Sequence, residues 1–197
     1  MKAIIYDIEI LRAIPNKDGS KLEGIEYCGG WNDHANMGIT VIGAYDYQED
    51  RYRVFCKDNF QRFIARAAQP DMLLVGFNSI AFDNAVIGAE LQIPFPEGIC
   101  YDLLRESWVA AGLGPKFEYP SHIGYGLDAM CARNFGTKKT GDGAVAPVLW
   151  QRGEIGQVID YCLNDVRLTK QLFDAVLAGK SITNPTNGKA LTLRNPT

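Results

Sequence analysis

Four carboxylates fall in three short contexts: Asp7 and Glu9 in YDIEI, Asp83 in GFNSIAFD, and Asp165 in YCLNDVRLTK. Like charges gathered in a partly dry cleft raise one another's pKa, unless bound cations invert that balance. The chemistry such a set suits is a two-metal centre that cleaves phosphodiesters. Asp7 and Glu9 are two apart on a strand-like run, so they project from the same side while Ile8 points away. Asp83 follows the apolar run MLLVGF by six residues and opens the next helix. That is the carboxyl end of a strand, where α/β sheets tend to bind ligands. Tyr161 and Asp165 are i and i+4 on one helical face, continued by Leu168 and Leu172. A carboxylate on such an apolar, sheet-facing stripe needs a partner, and a metal ion is the best one on offer.

Taken singly, each segment has an ordinary structural reading. A DxE pair is usually a solvated face, Asn78 or Ser79 could simply cap a helix, and a YxxxD tyrosine is usually half-buried core. Their conjunction, in order and each in fitting local structure, is what points to one site.

The elements that must position these residues follow from periodicity. Residues 3–10 read as a central strand covered on both sides. Residues 11–37, punctuated by Pro15, Asn16, Gly19, Gly24, Gly29, Gly30 and Asn32, form an insertion carrying Tyr27 and Trp31. Ile39–Tyr47 and Tyr52–Cys56 predict a hairpin, Phe60–Ala68 a helix, and Met72–Phe77 another buried strand. A helix is expected from Ser79–Ala81 to about Gln92, then helices over Leu103–Ala111 and Leu127–Asn134. A loop over 136–147 leads to a long helix over 154–178, with Ile159, Leu163, Val166, Phe173 and Val176 on its buried face. The tail from 180 to 197 reads as a polar surface extension. The order βββαβα followed by helices predicts one α/β domain over 1–197, a mixed central β-sheet flanked by α-helices.

Bulk composition excludes several classes. The chain has 197 residues, 47% apolar and 22% charged, with net charge −3. Chains that coat nucleic acid by bulk electrostatics are normally basic, whereas an enzyme gripping a strand end can borrow positive charge from its metals. The five cysteines are scattered without a CxxC pair, and no secretory signal or membrane-length apolar run is visible, so a soluble cytoplasmic protein with free thiols is expected. Cys28 and His34 have no second pair at structural-zinc spacing.

On these motifs the chain resembles the DEDD (DnaQ-like) superfamily of 3′–5′ exonucleases, on a ribonuclease-H-like fold. YDIEI is similar to the first motif, GFNSIAFDNAVI to the second, and YCLNDVRLTK to the third, YxxxD. The second is most like the proofreading domain of family-B DNA polymerases. The tyrosine subgroup, DEDDy, is indicated because Asp160 stands where the other subgroup has histidine. The resemblance spans about residues 2–178 and leaves the 11–37 insertion and the tail unexplained. With no polymerase segment following, a free-standing nuclease is expected, with a polymerase or other replication or repair factor as a conceivable partner.

The resemblance implies that Asp7, Glu9 and Asp165 hold one metal, that Asp7 bridges to a second, and that Asp83 serves the second. The ions implied are two Mg²⁺, about 3.5–4 Å apart, with Mn²⁺ able to substitute. Tyr161 would orient the attacking water; with an unperturbed pKa of about 10 it is a poor general base. The backbone N–H near Ile8 would meet the terminal 3′-hydroxyl, while Asn78 and Phe82 line the terminal nucleotide. Phe82 could equally be a core anchor. Lys138 and Lys139 could touch phosphates, though a solvated loop is the commoner role. Tyr27 and Trp31 are expected to pack the insertion down rather than stack on bases. The substrate implied is a single-stranded or frayed DNA 3′ end, releasing nucleoside 5′-monophosphates. RNA trimming by the same core, and a non-catalytic nucleic-acid-binding adaptor, are the alternatives.

Overall fold

The computed structural model describes every residue except 138–140, 142 and 197; Lys138 and Lys139 therefore lie outside the described residues. Five strands form one sheet: β1 (Ala3–Ile10), β2 (Ile39–Asp46), β3 (Arg51–Phe55), β4 (Leu73–Gly76) and β5 (Cys100–Asp102). Their order is β3-β2-β1-β4-β5. β1–β2 and β2–β3 pair antiparallel, β1–β4 and β4–β5 parallel, so β1 is central and the sheet is mixed. β5 did not emerge from the sequence. Three residues shortly after Pro94 and Pro96 show no period of two, and only pairing with β4 makes them a strand.

Helices cover both faces. α1 (His34–Met37) closes the insertion, α2 (Phe60–Ala67) follows the hairpin, and α3 (Asp83–Leu91) follows β4. α4 (Leu103–Ala110), α5 (Leu127–Phe135), α6 (Ala146–Gln151) and α7 (Ile155–Leu177) complete the set. Along β1 the pleat separates two cores. Ile4, Tyr6, Ile8 and Ile10 pack with Phe60 and Phe63 of α2 and Val86 and Ile87 of α3. Ile5 packs on the other face with Val166, Leu172 and Phe173 of α7. Asp7 and Glu9 share that second face, which is why both look toward α7.

The buried stripe of α7 is offset from the expected one. Val158, Tyr161, Cys162, Asp165, Val166, Leu168, Leu172, Phe173 and Val176 are buried, whereas Ile159 and Leu163 are only half-buried. The stripe through Tyr161, Asp165, Leu168 and Leu172 that the i, i+4 spacing placed against the sheet is the buried one, joined by Cys162, while Ile159 and Leu163 lie on its flank. The tail is not a loose extension either. β6 (Ile182–Thr183) and β7 (Ala190–Leu191) form a small antiparallel pair whose Ile182 and Leu191 join the α7 core. The Tyr101 hydroxyl donates to the Arg194 carbonyl at 2.5 Å, tying the tail to β5.

Candidate active site

The site forms where α7 descends onto the middle of β1. Asp7 pairs with Gly43 and Glu9 with Val41 across the β1–β2 ladder. A Cβ on Gly43 would lie 2.8 Å from the Cys162 sulfur, so the missing side chain is what lets α7 sit directly on the β2 backbone. The Cys162 thiol donates to the Asp7 carbonyl at 3.5 Å. One carboxylate oxygen each from Asp7 and Glu9, with the Cys162 sulfur, lie within 4.8 Å of one another, close enough to share a metal ion. One turn further along α7, Asp165 is buried at 3% exposure.

Asp83 arrives from the other side. β4 ends at Gly76, and the chain turns through Asn78 in the left-handed region (φ 64°), which asparagine tolerates better than most residues. α3 starts at Asp83, later than the expected Ser79–Ala81, because another residue captures the preceding backbone amides. Asp102, the N-cap of α4, accepts from Asn78 N (2.9 Å), Ile80 N (3.0 Å), Leu104 N (3.0 Å) and Arg105 N (3.3 Å). Burial pushes the Asp102 carboxyl up, while those four N–H groups pull it down. Sequence reasoning missed this residue. Its N-cap role was readable from an aspartate before a helical run, but its hold on the 78–80 turn is a long-range contact.

Asp83 Oδ1 accepts the Ile8 N–H at 3.1 Å. The amide expected to meet a 3′-hydroxyl is therefore already engaged, and substrate contact there requires exchanging that bond. Burial pushes the Asp83 carboxyl up to about 7, with the charges of Asp102 and Asp165 adding to the shift and the Ile8 amide opposing it. A carboxyl raised in this way is one whose charge lacks compensation, as expected of a group built to meet a cation.

Asp7, Glu9, Asp83, Tyr161 and Asp165 all line one cavity of about 450 Å³, with Ile8, Asn78 and Phe82 beside them. The eight residues singled out from sequence thus converge. Gly143 comes close to Tyr161, since a Cβ there would lie 3.4 Å from the tyrosine hydroxyl. Phe82 is half-buried, packing against the first core and also lining the cavity.

The insertion supplies a further part of the lining through Ile14, Pro15, Asn16, Lys17 and Trp31. Tyr27 packs as expected, its hydroxyl accepting from Leu22 N at 2.9 Å. Trp31 does not: it is 67% exposed at the cavity, its ring 6.1 Å from that of Phe82. No signal in the local sequence separates these two aromatics, because the difference arises from where the insertion folds back.

The sheet order, the helices on both faces and the acidic cavity together define a ribonuclease-H-like α/β fold. Residues 28–177 match the RNase_H_2 family model of the RNase H superfamily, and the chain belongs to that superfamily. No curated protein matches in sequence. Among solved structures the chain is similar to Trypanosoma brucei RNase D, with 14% identity and a TM-score of 0.53 over 88% of this chain and 56% of that one. It thus spans little more than half the length of that relative. An ExoI/SSB-Ct complex also matches, at 15% identity and TM-score 0.44, over 88% of this chain and 43% of the other. Among the described residues, no helix is long and apolar enough to cross a membrane.

Proposed function

We propose that the chain is a metal-dependent 3′–5′ exonuclease of the DEDDy type, acting on an unpaired DNA 3′ end and releasing nucleoside 5′-monophosphates. The observation that carries this reading is the convergence of Asp7, Glu9, Asp83 and Asp165, from three separate segments, on one cavity that also holds Tyr161. A donor set of carboxylate oxygens suits hard divalent cations, Mg²⁺ first and Mn²⁺ as a substitute. Asp7, Glu9 and Asp165 would hold one ion, with Asp7 and Asp83 serving a second. Such ions, when bound, lower the pKa of water and stabilise charge on the attacking and leaving oxygens at phosphorus.

The protein's own side chains do the rest. Tyr161 orients the attacking water through its hydroxyl, next to Gly143, and Asn78 and Phe82 hold the terminal nucleoside. The Ile8 amide, which now donates to Asp83 at 3.1 Å, would donate to the sugar once that bond is exchanged. The likeness to an RNase D makes RNA the second substrate to test, although at that identity it speaks for the fold alone.

Incubating 5′-labelled single-stranded DNA, duplex DNA and RNA with the protein and Mg²⁺ tests the reading. Stepwise shortening of single-stranded DNA, abolished by EDTA, is expected. Shortening of RNA alone would replace DNA by RNA as substrate, and internal cuts would reject exonuclease action.

A further inference from the structure

We infer that Trp31 is the stacking platform for an unpaired base one nucleotide inward from the 3′ end, with Lys17 meeting the adjoining phosphate; the inference rests on the nuclease reading above. The insertion would then be what makes the enzyme prefer single strands.

Trp31 is the most exposed tryptophan of the chain's three and sits at the cavity that holds the carboxylates. An indole left 67% exposed loses the burial its ring would otherwise gain. It stands on a pinned turn. Asp33 N donates to the Gly30 carbonyl at 3.1 Å, and the Asp33 carboxylate accepts from Gly29 N at 2.6 Å and Asn36 Nδ2 at 2.7 Å. Those two donors hold the Asp33 carboxyl below its ordinary range.

The insertion itself is locked to the body. Gln151, at the end of α6, donates to the Leu11 carbonyl (2.8 Å) and the Glu26 carbonyl (3.1 Å), and accepts from Glu26 N (2.7 Å). One side chain thus holds both arms of the insertion and keeps its wall at a fixed distance from the carboxylates.

The geometry of the two rings sets what they can bind. Trp31 and Phe82 lie 6.1 Å apart and are inclined by 58°, too close and too tilted for a base to enter between them. They form a bent wall instead. Phe82 adjoins Asp83 and faces the terminal nucleoside, while Trp31 lies further out and offers its free face to the next base. Stacking of this kind reads no sequence but needs a base released from its pair. Lys17 is the one cationic side chain among the described residues lining the cavity, so it is the natural phosphate contact beside that ring.

The test reads binding separately from cleavage. With Ca²⁺ in place of Mg²⁺, the affinity of a 5′-fluorescein hexathymidylate is measured by anisotropy, and melting temperatures check that each variant folds. Trp31→Ala is expected to weaken binding about tenfold, and Trp31→Phe to recover most of the loss. Lys17→Ala should weaken it a fewfold and flatten its salt dependence. Gln151→Ala should weaken it as well, by freeing the wall. Affinity within about twofold of wild type in Trp31→Ala overturns the inference, even if the protein cleaves DNA in Mg²⁺. Trp31-dependent binding by a protein that cleaves nothing leaves the inference standing and overturns the exonuclease reading instead.

Discussion

The two walls of the cavity are built in opposite ways. The carboxylate wall belongs to the core: Glu9, Asp83 and Asp165 are each at most 5% exposed, on elements packed against the central strand. The insertion wall is a surface loop, with Lys17 and Trp31 exposed and its arms held by Gln151 and Arg12. On the proposed reading, the carboxylates that would hold metal ions lie in dry surroundings, where mutual repulsion is strong and a cation would be held firmly. On the reading proposed above, recognition of a flexible strand falls to a loop, through the face of Trp31 and the charge of Lys17. The first wall should fail all at once when a member is removed, and the second by degrees.

The largest contrast is expected from Asp165→Ala or Asp83→Ala. Either should lower turnover on single-stranded DNA by about three orders of magnitude, roughly 4 kcal/mol of transition-state stabilisation, without unfolding the chain. Near-normal turnover in either variant would erase the distinction between the walls. Tyr161→Phe should cost less than either aspartate, since the water keeps its other contacts.

Asp102→Ala comes next, and it acts on the scaffold of the first wall. Four backbone donors lose their acceptor at once, and a buried unmet donor costs about 1–3 kcal/mol. A strongly lowered melting temperature is expected, and Mg²⁺ should restore only part of it because the turn leading to Asp83 is no longer held. Wild-type stability in this variant would show that the 78–80 turn needs no such anchor.

Asp83→Asn isolates charge from shape, since the new side chain still accepts from Ile8. The folded state raises this carboxyl to about 7, so folding favours its protonated form. Wild-type stability therefore falls as pH rises from the ordinary carboxylate range of about 4 to about 7, and is flat above. In EDTA at pH 8 the variant should melt several degrees higher than wild type, and near pH 4 the two should coincide. Mg²⁺ should reverse the order at pH 8. Scanning calorimetry across that range reads all three results, and parallel curves for the two proteins would refute the electrostatic account of Asp83.

The smallest effect is expected from Gly43→Ala. The added methyl meets the Cys162 sulfur and must lift α7 slightly, at a cost of about 1–3 kcal/mol, with a modest loss of turnover. A stable, fully active variant would mean that α7 has slack over β2.

Much of the first wall could be read before the fold was known. Alternation along β1 put Asp7 and Glu9 on one side, and the i, i+4 spacing put Tyr161 with Asp165, because local periodicity governs both. The chain's ends and joints were less legible. β5, the β6–β7 pair and α6 are short, and pairing or packing with distant segments is what gives them their form. The same holds for Asp102, whose partners at 78 and 80 lie a strand away. The sequence favours packing for Trp31, because most aromatics in a loop do pack; its exposure follows from the insertion's course, which Gln151, far along the chain, helps to fix.

The central claim is that the four carboxylates together hold two divalent cations. Titrating Mn²⁺ into the protein with a nucleoside 5′-monophosphate present, and following free Mn²⁺ by electron paramagnetic resonance, tests it directly. Two ions taken up per chain, with at least one lost in both Asp83→Ala and Asp165→Ala, is the predicted result. Uptake that is absent, or unchanged by either substitution, would contradict it.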